Sequence, residues 1–293
     1  MRRLLIIGCG DIALRAAPQL RDRYRIYALT RSRERVPLLR AHGMVPITGD
    51  LDDAASLEAL AGIAHDVLHC APPPRRGTRD TRTAHLIAAL AKGESLPQQL
   101  VYISTSGVYG DCEGEFVDET RAPRPQTARA QRRVDAERQL RVWGRRSGVR
   151  VAILRAPGIY SEARLPLARL QAGTPALCAE EDAYTNHIHA ADLARAAVAA
   201  LRFAPAGRAY NAADDSLLKM GDYFDLVADR FGLPRPPRIS RAEARQRIGP
   251  DLLSFMNESR RLSNHRIKRE LRLKLRYPTV REGIAAALPP PRV

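Results

Sequence analysis

The stretch Leu4-Leu5-Ile6-Ile7-Gly8-Cys9-Gly10-Asp11-Ile12-Ala13 decides the fold of this chain. Its four apolar residues are typical of a buried strand, and an amphipathic segment begins directly after the second glycine. Gly8 permits a tight turn, Gly10 lets the backbone approach a pyrophosphate, and Ala13 keeps strand and helix close together. The free amides of the first helical turn, which includes Asp11 and Ile12, favour an anion at this point. The pattern therefore predicts a phosphate-binding strand–turn–helix unit.

The rest of the first half alternates short apolar runs with longer amphipathic segments, which is the pattern of successive strand–helix units. Strands are predicted at residues 4–7, 25–29, 44–47, 66–70, 99–104 and 149–154. Helical segments are predicted at residues 12–22, 33–42, 54–61, 81–92 and 126–146. Because Pro18 removes a backbone donor, the first helix is expected to kink or to begin late. The fold class is α/β, a Rossmann-type doubly wound parallel sheet.

Beyond Pro157 the alternation is looser. Helices are predicted at residues 190–202, 221–231, 241–248 and 263–271, and a short strand at 208–211. We predict an NAD(P)-binding Rossmann domain at residues 1–157, to which later strands return, and a smaller substrate-binding domain mainly within residues 158–293. Two proline-rich segments, 234–237 and 289–291, are interpreted as connectors or tail.

The composition indicates a globular protein, with 45% hydrophobic and 27% charged residues in 293. No apolar run approaches the roughly 18 residues of a membrane-spanning helix, so no membrane partner is expected. The opening apolar run is broken at once by the glycine turn, unlike a signal peptide, and we expect a cytoplasmic location. The four cysteines form no Cys-x-x-Cys pair, which favours reduced thiols and no metal site.

A net charge of +16 raises nucleic acid as a partner. All but four of the 48 basic residues are arginine, and from residue 233 onward 15 basic residues face 5 acidic ones. No aromatic residues alternate with these charges as stacking platforms. A solvated basic face is the favoured interpretation, and nucleic-acid binding is not favoured.

The loop after the second predicted strand carries Arg31 and Arg33. An acidic residue at this place binds the ribose 2′-hydroxyl of NAD, whereas an arginine accommodates the 2′-phosphate of NADP. The two arginines therefore predict NADP, with NAD as the alternative. In a chain this rich in arginine, a solvated loop charge is the competing interpretation.

Two further loops are predicted at the same edge of the sheet. Asp50 and Leu51 follow the third strand and are assigned to the adenine side of the cofactor. Ala71 and Pro72 follow the fourth strand and are assigned to the cofactor backbone. Helix capping by the aspartates that follow, and a rigid proline turn, explain these residues equally well.

Several ordered motifs spread over nearly the whole chain carry a family resemblance. They are the Gly8 to Ala13 turn, Gly49-Asp50-Leu51, Ile103-Ser104-Thr105-Ser106-Gly107-Val108-Tyr109-Gly110, Asp118-Glu119, Ala136-Glu137, Leu154-Arg155-Ala156-Pro157-Gly158-Ile159-Tyr160, His187-Ile188-His189-Ala190-Ala191-Asp192-Leu193-Ala194 and the stretch 269–283. With them the chain resembles the extended short-chain dehydrogenase/reductase family, which includes NAD-dependent epimerases and dehydratases. It is most similar to the atypical YeeZ-like subgroup.

The resemblance implies candidate catalytic residues. Thr105 takes the place of the residue that binds the reacting oxygen, and Ser106 stands beside it. The family's Tyr-x-x-x-Lys pair falls on Arg129 and Arg133, and an arginine cannot act as an acid or base at ordinary pH.

Further residues complete the expected site. Arg133 is assigned to the nicotinamide ribose, with a surface charge on its helix as the competing interpretation, and Pro157 is assigned to the cofactor site. Tyr109 and Tyr160 flank the expected cleft. Each can donate a proton, although packing is the preferred role for both.

The sequence thus predicts an NAD(P)-dependent oxidoreductase or epimerase-like protein that transfers hydride on a small polar substrate. A non-catalytic, NADP-binding redox sensor is the alternative that the missing tyrosine and lysine leave open. His187 and His189 lack a third ligand, so they are assigned to the substrate cleft and not to a metal. The chain is expected to be a monomer or a homodimer.

Overall fold

The computed structural model describes residues 1–287, and its centre is a seven-stranded sheet in which all neighbouring strands are parallel. The strands, numbered along the chain, are β1 (Arg2–Ile7), β2 (Tyr24–Thr30), β3 (Met44–Thr48), β4 (Asp66–His69), β5 (Gln99–Thr105), β6 (Arg150–Ala156) and β7 (Ala209–Asn211). Their spatial order is β7-β6-β5-β4-β1-β2-β3. Strands β2 and β3 are added on one side of β1, and β4 to β7 are added on the other side. This reversal of strand order places a crevice at the carboxyl ends of β1 and β4.

Helices cover both faces of this sheet. They are α1 (Asp11–Leu20), α2 (Val36–Ala41), α3 (Thr81–Ala91), α4 (Ala128–Ser147), α5 (Leu167–Gln171), α6 (Ala190–Phe203), α7 (Met220–Phe231), α8 (Arg241–Arg247), α9 (Pro250–Met256), α10 (His265–Glu270) and α11 (Val280–Ala285). Helices α1 and α6 share one apolar core with alternate residues of the strands, and α3 and α4 share the other. The predicted α/β, Rossmann-type fold class is confirmed.

The apolar runs identify all seven strands of the sheet, whereas the helical predictions differ from the structure in three details. Helix α1 begins at Asp11 and continues through Pro18 to Leu20, so it does not begin late. Its proline lies in the final turn, where only one intrahelical hydrogen bond is forfeited. The segment Ala54–Leu60 is a 3₁₀ helix, and Arg33–Arg35 is a 3₁₀ turn that precedes the short α2.

The chain after Pro157 both returns to the sheet and builds a smaller layer beside it. Strand β7 joins the sheet beside β6, and helix α6 packs on the sheet. Helices α5, α7 and α11 instead share a separate apolar cluster around Tyr160. Four two-stranded pairs connect the parts: Gly158–Tyr160 with His187–His189, Ala176–Leu177 with Arg238–Ile239, Tyr184–Thr185 with Leu218–Lys219, and Phe116–Val117 with Arg261–Leu262. The division at residue 157 stays a prediction, and residues 289–291 lie outside the described part.

Within residues 1–287 no helix combines the length and the apolar character needed to cross a bilayer.

Candidate functional site

The turn between β1 and α1 has the geometry that its glycines predict. Gly8 has φ +84°, and a Cβ there would lie 2.6 Å from the Ala71 Cα, so no other residue fits. A Cβ on Gly10 would meet nothing within 4 Å, because this residue borders open space. Gly10 also caps α1 without a side-chain hydrogen bond. The turn therefore presents helix amides to an open cavity, and Ala13 packs behind it in the core.

A cavity of about 540 Å³, which we call the sheet-edge cavity, opens above this turn. It lies at the carboxyl ends of β1, β2, β4, β5 and β6. Twelve of the predicted site residues line it: Gly8, Gly10, Asp11, Ile12, Arg31, Asp50, Leu51, Ala71, Pro72, Thr105, Arg133 and Pro157. The structure thus brings together residues that the sequence separates by about 150 positions.

The arginines of the β2 loop are arranged differently from the prediction. Arg31 lines the sheet-edge cavity, 3.9 Å from the Asp50 carboxylate, but Arg33 is exposed and lies outside it. The 3₁₀ turn at 33–35 instead brings Arg35 to the cavity, where its Nη2 donates to the Cys9 carbonyl at 2.6 Å. The sequence run Arg31-Ser32-Arg33-Glu34-Arg35 contains this residue, but the turn decides which of these side chains lines the cavity.

Arg133 is held at the inner end of the sheet-edge cavity. From α4 its Nη1 donates to the Tyr102 hydroxyl at 2.8 Å and to the Ile103 carbonyl at 2.9 Å. Burial raises the pKa of Tyr102 to about 12, so this phenol stays protonated. Arg133 is therefore anchored as a fixed donor and positive charge.

Tyr109 lies outside the sheet-edge cavity, a placement that favours the preferred packing role over proton donation. Only 1% of it is exposed; its hydroxyl donates to Asn211 Oδ1 at 2.8 Å and accepts from Arg155 Nη1 at 2.9 Å. Arg155 in turn pairs with Glu137 at 2.8 Å, which also accepts from Ser104. Burial raises the pKa of Tyr109. Tyr109 therefore belongs to a buried hydrogen-bond network below the carboxyl edge of the sheet.

Tyr160 likewise lies outside the sheet-edge cavity. It is buried among α7 and α11, where its hydroxyl donates to the Thr279 carbonyl at 3.4 Å. Burial raises its pKa strongly. The preferred packing role therefore agrees with where the structure places it.

A second cavity of about 290 Å³, which we call the adjoining cavity, lies between β5 and the smaller layer. It shares Thr105 and Pro157 with the sheet-edge cavity and contains Ser106. Thr105 Oγ1 accepts the Gly107 amide at 3.2 Å, which fixes the side chain at the end of the strand. The two spaces therefore meet at the threonine that the sequence singled out.

Glu258 and Arg260 line the adjoining cavity, and the sequence analysis did not identify them. Each is 8% exposed, and the Glu258 Oε2 pairs with the Arg260 Nη2 at 2.9 Å. Arg260 also donates to the Gly110 carbonyl at 2.6 Å. The Glu258 Oε1 is buried and has no hydrogen-bond partner among the described residues. The sequence around Glu258 and Arg260 does not predict their position, because it depends on the contact of Arg260 with Gly110, about 150 residues away.

The histidine pair serves two different purposes. His187 lines the adjoining cavity and stacks on Tyr223 with ring centroids 4.2 Å apart; burial lowers its pKa to about 3, so it is neutral. His189 caps α6 by accepting the Ala191 amide. Within residues 1–287 no three His, Cys, Asp or Glu side chains are placed to hold a metal ion.

Asp192 lies in the first turn of α6. Its carboxylate accepts the amides of Arg276 and Tyr277 at 2.7 and 2.9 Å. It therefore ties the C-terminal segment to α6.

A model of the NAD-dependent epimerase/dehydratase family matches residues 9–213. A functionally unknown conserved protein from Silicibacter pomeroyi is similar over 98% of both chains, with 28% identity and a TM-score of 0.82. UDP-glucose 4-epimerase from Thermotoga maritima, solved with UDP-glucose, has 17% identity over 97% of both chains and a TM-score of 0.78.

UDP-glucuronic acid 4-epimerase from Bacillus cereus, solved with NAD, has 16% identity and a TM-score of 0.76, covering 97% of this chain and 95% of its own. No curated protein matches the chain.

Proposed function

Because the chain belongs to the NAD-dependent epimerase/dehydratase family, we propose that it is an NAD(P)-dependent oxidoreductase that transfers hydride on a small polar substrate. The observation that carries this proposal is the meeting of two cavities at Thr105. The larger is assigned to the dinucleotide, the smaller to the substrate. A reacting carbon at their junction is then next to both.

The residues of the sheet-edge cavity fit a dinucleotide. Gly10 leaves open the space that a Cβ would occupy, and the uncapped amides of α1 suit a pyrophosphate. Arg133 supplies a donor at the inner end, and Arg31 and Arg35 supply positive charge at the β2 end. When bound, a nicotinamide dinucleotide supplies the hydride acceptor or donor.

We assign the work on the substrate to three side chains of the adjoining cavity. Thr105 and Ser106 hold the reacting oxygen by hydrogen bonds. In the oxidation direction, hydride leaves the carbon, the hydroxyl proton passes to the Glu258 Oε1, and the C–O bond becomes a carbonyl. The unpartnered oxygen of Glu258 supports this role, since Arg129 and Arg133 hold their protons.

The experiment that tests the function is a survey of alcohols and carbonyls with NAD(H) and NADP(H), followed by single variants. We expect Thr105→Ala and Ser106→Ala to lose hydride transfer while still binding dinucleotide. Tyr109→Phe, which lies outside the cavities, should retain it. Transfer that survives both hydroxyl deletions would contradict the site.

A non-catalytic NADP-binding redox sensor is the second candidate. It is favoured by the arginines at both places where the family has its tyrosine and lysine. Dinucleotide binding without turnover of any compound in the survey would select it over the enzyme.

Cofactor preference gives a separate prediction. We expect NADP to bind more tightly than NAD, and the double variant Arg31→Ala, Arg35→Ala to remove most of that advantage. A hydrogen bond to a charged group contributes about 1.5–3 kcal/mol, so the affinity ratio should fall by about tenfold or more. Titration followed by fluorescence or calorimetry measures it.

Arg33→Ala is the matched control, because this arginine belongs to the same loop but lies outside the cavity. It should leave the ratio unchanged. Equal affinities of the unaltered protein for NAD and NADP would end the claim.

A further inference from the structure

Arg169 is a cation without a carboxylate partner in the adjoining cavity. From α5 its guanidinium lies 4.1 Å from the centre of the Phe224 ring, and its Nη2 donates to the Pro175 carbonyl at 3.0 Å. Its Nε is buried and unpartnered, and no carboxylate lies within 4 Å of the guanidinium in the described part of the chain. Burial lowers its pKa to about 10. The protein therefore keeps a desolvated positive charge beside an open space, with no carboxylate in direct contact and a longer-range attraction to Asp182.

The other charges of the cavity do not neutralise it. Arg260 also lines the space, and Glu258 is the one acidic side chain among the described lining residues. Glu258 is already paired with Arg260. Because charges act strongly where water is excluded, the cavity favours a ligand with negative charge.

The size of the space limits that ligand. At about 290 Å³ the adjoining cavity is near the lower end of the roughly 300–1,000 Å³ that ligand cavities span. Apolar side chains of Met220, Phe224 and Leu252 form part of its wall. A sugar joined to a nucleoside diphosphate, with its several rings, would have to extend beyond it.

We infer that the substrate is a small hydroxy or oxo compound that carries one oxyanion, a carboxylate or a phosphate, bound by Arg169. Both groups present the planar or clustered oxygens that a guanidinium binds with parallel hydrogen bonds. The oxyanion lies at Arg169 and the reacting oxygen at Thr105, which lines the same cavity. This inference rests on the proposed function and narrows its substrate.

The test uses the full-length protein, titrated with defined probes both with and without NADPH. The carboxylate arm compares glyoxylate and pyruvate with their neutral amides. The phosphate arm compares glycolaldehyde phosphate with glycolaldehyde, and UDP-glucose is added as a large ligand. In one arm we expect the anion to bind about 10- to 100-fold more tightly than its neutral counterpart, and UDP-glucose to bind weakly.

Two variants assign this preference to a residue. Arg169→Gln should abolish the preference for the anion, whereas Arg202→Gln should leave it unchanged. Arg202 is the matched control, because its guanidinium also lies over a phenylalanine ring, 4.9 Å from the centre of Phe203, but it lines a different surface. Thermal unfolding checks that both variants are folded.

Equal binding of anion and neutral compound by the unaltered protein would overturn the inference, and this comparison needs no variant. Tight binding of UDP-glucose, or an anion preference that survives Arg169→Gln, would overturn it as well. Anion binding that depends on Arg169 in a protein that binds no dinucleotide would uphold the anion site and refute the proposed function. Dinucleotide binding without any anion preference would do the reverse.

Discussion

Replacing Glu258 by glutamine is expected to slow hydride transfer by about 10²–10⁴-fold while dinucleotide affinity stays unchanged, because general acid/base catalysis contributes a factor of this size. Glutamine keeps the size of the side chain and can accept from Arg260, but its amide cannot take up the proton of a hydroxyl. The rate is measured in a single turnover on a compound that the survey of alcohols and carbonyls identifies as a substrate.

Glu115→Gln is the control for this variant. Glu115 also pairs with an arginine, Arg121 at 2.5 Å, but it lines neither cavity, so its variant should retain the rate. If Glu258→Gln transfers hydride as fast as the unaltered protein, the proton passes elsewhere and the role assigned to this residue is wrong.

The second large effect concerns stability. Arg155→Met is expected to lower the free energy of unfolding by about 3–5 kcal/mol, because it leaves the buried Glu137 carboxylate without its charge partner. Both side chains are 4% exposed and their pair is 2.8 Å long. Denaturant unfolding, followed by circular dichroism, measures the change.

The double variant Glu137→Met, Arg155→Met should recover part of the loss, since the unpaired charge is removed together with its partner. As a control, Arg235→Met opens an exposed pair with Asp229 and should leave the unfolding midpoint unchanged. If the single and double variants of the buried pair are equally destabilised, unpaired charge is not the cause.

The parts of the molecule that depend on local sequence were predicted well. Apolar runs identify the sheet strands because most of them are buried on both faces, and the glycine turn identifies the end of β1 at the cavity because only glycine fits beside Ala71 at position 8. Where a local turn changes which side chain faces the cavity, the sequence pattern selects the wrong residue. Arg33 was expected at the cavity, but the 3₁₀ turn places Arg35 there.

The adjoining cavity was hardly predictable, because distant contacts build it. Glu258 is held at the cavity by Arg260, whose guanidinium donates to the Gly110 carbonyl. The sequence near either residue contains no pattern that predicts this contact. For Tyr109 the motif left proton donation open beside the preferred packing role. Its hydroxyl is instead saturated by Arg155 and by Asn211, which lies on β7 and is 102 positions away in sequence.

The clamp made by Asn211 sets an order on how the protein is completed during synthesis. Its amide donates to the carbonyls of Val117 and Ser263, while its oxygen accepts from Tyr109. Until the ribosome has released residue 211, the Tyr109 hydroxyl lacks its acceptor, and until residue 263 emerges the clamp is still open. A nascent chain that ends near residue 157 therefore exposes an unfinished sheet edge at β6. The closing of this clamp therefore has to await both the last strand of the sheet and the segment that carries Ser263.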